Sequence, residues 1–505
     1  MNAIPIALFW LLVIWAAASR RPVALYLFFA TMPFGAFAVI PTQLTGGLTF
    51  IATPIAAIVV IAKAFLNRQG PSALLSMAIM PNRLLFLFAF WTIATVTTFF
   101  MPRLLAGDLL VVPVRGVLRT TAPLAPSTQN LSQWVYMTIS VFTVFALARH
   151  LRSPDMRQHA LQALCLGAAM LIVTGLLDYA SQFLPLAPLL QPFRTASYAL
   201  ATEVEVMGSK RVVGLMPEAS AFGTYCLGFL CSLYFYRRAI TNIALRTRVC
   251  PPILIALLLL CWQSKSSAAY VGMGLFVAMA CAEWLLRANK PQHTGLIYRQ
   301  GLLGELSVPI AILTGVTMTL LLKPDLLDPI YAMIDRMVLQ KGSSHSYEER
   351  GMWRSIALAS VFESHGFGIG LGSTRASSSI VAIFSATGIL GGVFFCAFIA
   401  QSCLRSASSP ELRILASGFR FAYIPMFTVS LMIADANFDF VAAFGFGLAT
   451  ALSFQPDRPV RAASSPYFIR EPMTAANDVV RTSAQAGSRN ARPGITADAV
   501  REFHT

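Results

Sequence analysis

The chain has 505 residues, 56% of them hydrophobic and 12% charged, and a formal net charge of +16. Soluble domains carry about 25% charged residues, so this composition excludes an ordinary soluble enzyme and points to a bilayer. The positive balance does not indicate nucleic acid, because the arginines are spread over many short loops, as membrane orientation requires.

Apolar runs of roughly 17–25 residues recur, each long enough to cross about 30 Å of hydrocarbon as a helix. They lack the alternation of barrel strands, which leaves an all-α polytopic membrane protein. In chain order, spans are expected over residues 3–19, 22–40, 48–66, 84–102, 134–149, 160–183, 214–235, 251–264, 266–286, 306–322, 380–401, 414–434 and 438–454. The first run, AIPIALFWLLVIWAAAS, is followed by Arg20-Arg21 and preceded by no basic residue. A cleavable signal has the reverse charge order, so this run reads as a retained span. The cysteines lie mostly inside apolar runs and form no CxxC pair, which argues against a disulfide framework or a zinc site.

Basic clusters at Arg20-Arg21, Lys63 to Arg83, Arg149 to Arg157, Arg237 to Arg248, Arg287 to Arg299 and Arg405 to Arg413 fall on alternate connections. One orientation puts them all in the cytoplasm and leaves the loops 103–133, 184–213 and 323–379 outside. Residues 1–455 thus read as one transmembrane domain, and the polar stretch 456–505 as a disordered cytoplasmic tail.

Three outer segments carry chemistry. In HSYEERGMWRSIALASVFESHGFGIGLGS, Ser346 and Glu349 fit a capping box, so a helix should start near Tyr347. Arg350 and Arg354 are four apart and share a face, a fork suited to phosphate oxygens. His345, Glu348, Glu349, Glu363 and His365 are candidate proton acceptors. By itself the helix reads better as a solvated amphipathic element held by i,i+4 ion pairs, with Glu349 and Glu363 among them. The second segment, Lys210-Arg211-VVGLMP-Glu218-ASAFG, sets a carboxylate at the mouth of a span. Such a group needs a cavity or a cation, and Arg211 or an arginine of the 323–379 loop is its natural partner. An ion pair that merely pins the helix end is as good a reading of Glu218. The third segment, QSKSSAAYVG, offers Lys265, a further cation or a side chain that snorkels to the interface. No Walker loop, Rossmann fingerprint or HExxH motif occurs. GFGIGLG leads into an outer-face span and so is not a nucleotide cradle.

Cations converging from several outer segments suit a lipid-linked, multiply negative substrate. Taken together, HGFGIGLGS, IVAIFSATGILGGVFF, LLLLCWQSKSSAAYVG and RVVGLMPEASAFG resemble the O-antigen polymerase and ligase superfamily of bacterial polysaccharide enzymes. The last piece is similar to the Glu-Pro-Ser segment of exopolysaccharide polymerases, with Ala219 in place of the proline, and Lys265 stands where relatives often show arginine. The resemblance covers roughly residues 40–455.

It implies a class C glycosyltransferase-like fold of about twelve to thirteen spans in the bacterial inner membrane, with its active face extracytoplasmic. The implied activity is polymerisation of undecaprenyl-diphosphate-linked repeat units without metal ion or nucleotide sugar. The implied partners are the lipid-linked donor, a glycan acceptor, the bilayer, and other polysaccharide export and chain-length proteins. Arg211, Lys210, Lys265, Arg350 and Arg354 are then the expected substrate-binding cations, and His345, Glu349, Glu363, His365 and Glu218 the candidate acid–base groups. The alternatives are a ligase that passes the glycan to a lipid acceptor and a transporter of lipid-linked sugars. Transporters carry ionisable residues at mid-membrane and often repeat their halves. Here most of the charge is in the outer loops, with Arg420 and Asp435 the main exceptions, and the halves do not repeat.

Overall fold

A computed structural model of the chain describes residues 3–45, 49–66, 68–114, 120–198, 200–206, 208–288, 345–407, 409–433 and 436–454, with isolated residues between 314 and 342. The expected span 306–322, the tail, most of 323–344, Asp435 and the side chain of His345 lie outside the described residues.

The described helices are α1 Ala3–Ala18, α2 Val23–Thr31, α3 Ala52–Phe65, α4 Gly70–Ile79, α5 Leu85–Leu104, α6 Thr128–His150 and α7 Pro154–Ala180. They continue with α8 Ala219–Tyr236, α9 Cys250–Gln263, α10 Ser267–Ala288, α11 His345–Glu363, α12 Ser379–Leu404, α13 Pro410–Ile433 and α14 Phe440–Leu452. Among the described residues seven helices are long and apolar enough to cross a membrane: α5, α6, α7, α9 with its π-helical lead-in, α10, α12 and α13. α1, α3, α4 and α14 are shorter and apolar. This is the architecture of a multi-pass, mostly helical membrane protein.

Side chains hold the helices together through shape, since lipid provides no hydrophobic drive between them. α12 packs along α5, α14 along α6, α13 along α8 and α2 along α7. Aromatic rings fill the seams, with Phe398 against Phe446 at 4.8 Å and Phe29 edge-on to Phe444 at 5.1 Å between centroids.

Seven expected spans reappear as helices long enough to cross a membrane, with 251–286 divided into two helices joined at Ser264–Ser266. Those expected over 3–19, 48–66 and 438–454 appear as shorter apolar helices, and 214–235 as the 18-residue α8. The expected span 22–40 differs. α2 stops at Thr31, where Pro33 and Gly35 follow, and the irregular backbone beyond it is largely buried. Its polar groups are met by other loops. Ala36 N donates to Leu215 O at 2.8 Å, and the amides of Thr195 and Ala196 donate to Ala36 O at 3.0 Å. Irregular backbone in a membrane protein is tolerated where protein covers it, as here.

The glycine run after α11 has a similar role. α12 is broken at Gly388, whose φ is +70°. Into the break runs the irregular segment 366–372, in which Gly366, Gly368, Gly370 and Gly372 all have φ near +80°. Ile369 N donates to Ser385 O at 2.8 Å, Gly370 N to Ala386 O at 2.9 Å, and Ile389 N to Gly366 O at 2.9 Å. A Cβ on Gly368 would sit 2.9 Å from the Ala386 carbonyl atoms. The glycines are therefore there for backbone-to-backbone approach. The broken helix and the loop complete each other.

Candidate functional site

Two short hairpins sit over the helix ends at one end of the bundle. β1 Leu110–Val111 pairs antiparallel with β2 Ala122–Pro123, and β3 Glu205–Val206 with β4 Ser209–Lys210. The second hairpin leads into Arg211 and is tied to the α9–α10 turn. Val212 N donates to Gln263 O at 3.2 Å, and Arg211 Nε donates to Ser264 O at 3.0 Å. From the same turn, Lys265 adopts a left-handed backbone with φ +46° and is only 8% exposed. Its ammonium donates to Val206 O at 3.0 Å, to Ser209 O at 3.1 Å and to the Ser209 hydroxyl. Those three bonds use its three N–H groups, so Lys265 acts on any ligand by charge.

A carboxylate outside the expected site anchors this arrangement. Asp178, near the end of α7, has 0% exposure. Its Oδ2 accepts from Val213 N at 2.7 Å and Gly214 N at 3.0 Å, and its Oδ1 from Arg194 Nη2 at 3.0 Å. Arg194 also donates to Gly214 O at 3.1 Å. The residues after Arg211 are thus fixed by charge-assisted bonds. Lys210 Nζ lies 3.6 Å from Asp178 Oδ1 and 3.2 Å from Glu203 Oε1, so its charge is matched within the protein.

Glu218 forms the N-cap of α8 and is exposed, at the positive end of the helix dipole. Its Oε1 accepts from the Ser220 hydroxyl. Arg350, half-buried on α11, completes the group. Burial is the main force lowering the pKa of Arg211; Glu218 and Tyr270 raise it and the nearby Arg350 lowers it further. For Lys265, burial lowers the pKa first, then Arg211, while Glu205 raises it. Arg211, Lys265, Arg350 and Glu218 therefore share one electrostatic neighbourhood built from three separate stretches of sequence.

The other expected residues fall elsewhere. Arg354 and Glu363 are exposed on α11, and His365 follows the helix, exposed, with φ +53°. Thirteen residues of helix separate Arg350 from Glu363, about 20 Å at 1.5 Å per residue, so Glu363 and His365 do not join the cluster. His345 opens α11, two residues ahead of the expected start.

Glu349 faces a second feature that sequence reasoning missed. Arg375 donates by Nε to Pro113 O at 3.0 Å and by Nη2 to Val114 O, and its guanidinium lies over the Trp353 ring at 5.4 Å. Burial lowers its pKa and Glu349 raises it. Trp353 and Arg375 line a cavity of about 370 Å³ with Gln133, Thr374 and Ser385. The Ser377 hydroxyl donates to Arg350 O at 2.9 Å, which joins this wall to α11. The one sequence signal for Asp178 was an acid at the end of an apolar run; Trp353 and Arg375 gave none, since neither spacing nor charge linked them.

Among the described residues, no three His, Cys, Asp or Glu side chains gather as a metal ligand set. The cluster of guanidinium and ammonium groups suits an anion. Fold and site together define a multi-pass helical membrane protein with a cationic cluster and an adjoining polar cavity over its helix ends. No family model matches the chain, and no curated protein matches it.

Proposed function

We propose that the protein is a glycosyltransferase that polymerises polyprenyl-diphosphate-linked oligosaccharide repeat units, with a class C glycosyltransferase-like fold and its active face outside the bacterial inner membrane. The observation that carries this reading is the convergence of Arg211, Lys265 and Arg350 beside the carboxylate of Glu218. A diphosphate leaves readily if its charge is neutralised as the anomeric C–O bond breaks. Fixed cations in a partly dehydrated site do this at no cost of reorganisation. Arg211 uses Nε for Ser264, which leaves the outer edge of its fork for phosphate oxygens. Lys265 adds field, and Asp178 with Arg194 holds the loop rigid.

The acceptor sugar occupies the Trp353–Arg375 cavity, its apolar face on the indole and its hydroxyls towards Gln133 and Thr374. Glu349 and Arg350 are adjacent on α11 and point about 100° apart, one towards each site. Glu349 takes the acceptor hydroxyl proton, the acceptor oxygen bonds to the anomeric carbon, and the diphosphate departs with the bonding electrons. Direct displacement inverts that centre.

The test is the lipid-linked glycan profile of cells lacking the protein, complemented with wild type or Arg211→Ala. Single repeat units on the carrier, without polymer, support the polymerase, and failure of Arg211→Ala to rescue places the cluster at the site. Long polymer retained on the carrier indicates a ligase. Normal polymer in the deletion strain overturns both and leaves transport of lipid-linked sugars.

A further inference from the structure

A second cationic cavity lies far from the first. α10 begins two residues after Lys265 and runs 22 residues, about 33 Å at 1.5 Å per residue, so its last turn is at the other end of the bundle. There Glu283 (2% exposed) and Arg287 (4% exposed) form a buried ion pair, with Arg238 Nη1 at 3.8 Å from the same carboxylate oxygen. Between this turn and α13 opens a cavity of about 380 Å³ lined by Glu283, Leu286, Arg287, Arg413, Ser417 and Arg420, among others. Arg420 is fixed by donating through Nε to Cys403 O at 2.8 Å and through Nη2 to Arg405 O at 2.7 Å, across the end of α12. Its lining thus contributes three guanidiniums and one described carboxylate, which is already matched.

We propose that this cavity binds the phosphate headgroup of an anionic phospholipid. The cation excess selects a phosphate, which guanidinium groups bind bidentately. Two observations favour a lipid over a free anion. Apart from Ser406, the rest of the lining is apolar: Leu286, Ala407, Ala416 and Phe421. Moreover Leu285, Leu286 and Leu404 expose 53%, 59% and 79% of their surface beside it, an apolar track for acyl chains. Basic pockets between transmembrane helices recognise lipid headgroups in this way.

The test is native mass spectrometry of the delipidated full chain in detergent, titrated with cardiolipin, phosphatidylglycerol or phosphatidylcholine, beside wild-type thermal melts with inorganic phosphate. Cardiolipin and phosphatidylglycerol adducts should persist at activation energies that strip phosphatidylcholine. Arg413→Gln, at an exposed position, should weaken them about fivefold, and Ser417→Glu should abolish them; melts of both variants in phosphatidylcholine check their fold. Equal retention of all three lipids, or unchanged adducts in both variants, overturns the proposal. Stabilisation by inorganic phosphate alone, equal to that by lipid, overturns it in favour of a soluble anion.

Discussion

Arg211 Nε and the carbonyl of Ser264 are 3.0 Å apart, and this bond joins the mouth of α8 to the turn between α9 and α10. It brings two expected cations, 54 positions apart in the chain, into one field. Replacing Arg211 with alanine should lower polymer formation about 100-fold, the scale of one lost charge-stabilising donor. Arg211→Lys keeps the charge but loses the fork and should recover only part. Turnover of a lipid-linked donor by the purified variants, at matched thermal stability, checks both.

Lys265 gives a pH prediction with a definite sign. Burial and Arg211 lower its pKa, so it releases its proton at a lower pH than an exposed lysine. As pH rises through that value the cluster loses one positive charge and activity falls. Lys265→Arg cannot lose its charge in this range, so its alkaline limb should move to higher pH. An unmoved limb in the variant would show that the Lys265 charge does not assist the reaction.

Trp353→Ala removes the platform of the acceptor cavity and the ring under Arg375, and leaves Arg211, Lys265 and Arg350 in place. The acceptor KM should rise about tenfold, the value of one aromatic contact of roughly 1.4 kcal/mol, while the donor KM stays put. A rise in both would place Trp353 in general packing instead.

Asp178→Ala leaves Arg194 buried without its carboxylate and strips the acceptor from two amides. Breaking one side of a buried pair costs about 3–5 kcal/mol. The variant should melt well below wild type in detergent, and Asp178→Asn, which keeps an acceptor oxygen, should fall between them.

Gly368 and Gly107 make a matched pair, with φ of +81° and +88°. Alanine at 107 meets nothing within 4 Å and should cost only the backbone strain, about 1 kcal/mol. Alanine at 368 drives a methyl into the backbone of α12 and should prevent the native fold, read as loss of a monodisperse species after extraction.

The spans were legible because length and hydropathy decide them locally. The exception is instructive: residues 22–40 are continuously apolar, yet Pro33 and Gly35 end α2, and only distant loops make the break tenable. The site was half legible. Arg211, Lys265, Arg350 and Glu218 carry charge where an apolar chain has little, so they attracted notice one by one. Their assembly rests on non-local bonds such as Lys265 to Ser209. Glu363 and His365 were drawn in by proximity in sequence, which a helix converts into distance. Asp178 drew no notice inside the apolar run 160–183, and its importance comes from partners 16 and 35 residues away.

The break in α12 constrains how the chain is made. Segment 366–372 leaves the ribosome before Ser385 and Ala386, whose carbonyls it will satisfy. Unpaired in hydrocarbon, each of those carbonyls would cost several kcal/mol. In hydrocarbon, the turns of α12 before Gly388 therefore cannot settle as an independent span. The glycine segment and these turns are expected to enter the bilayer as a single unit of insertion.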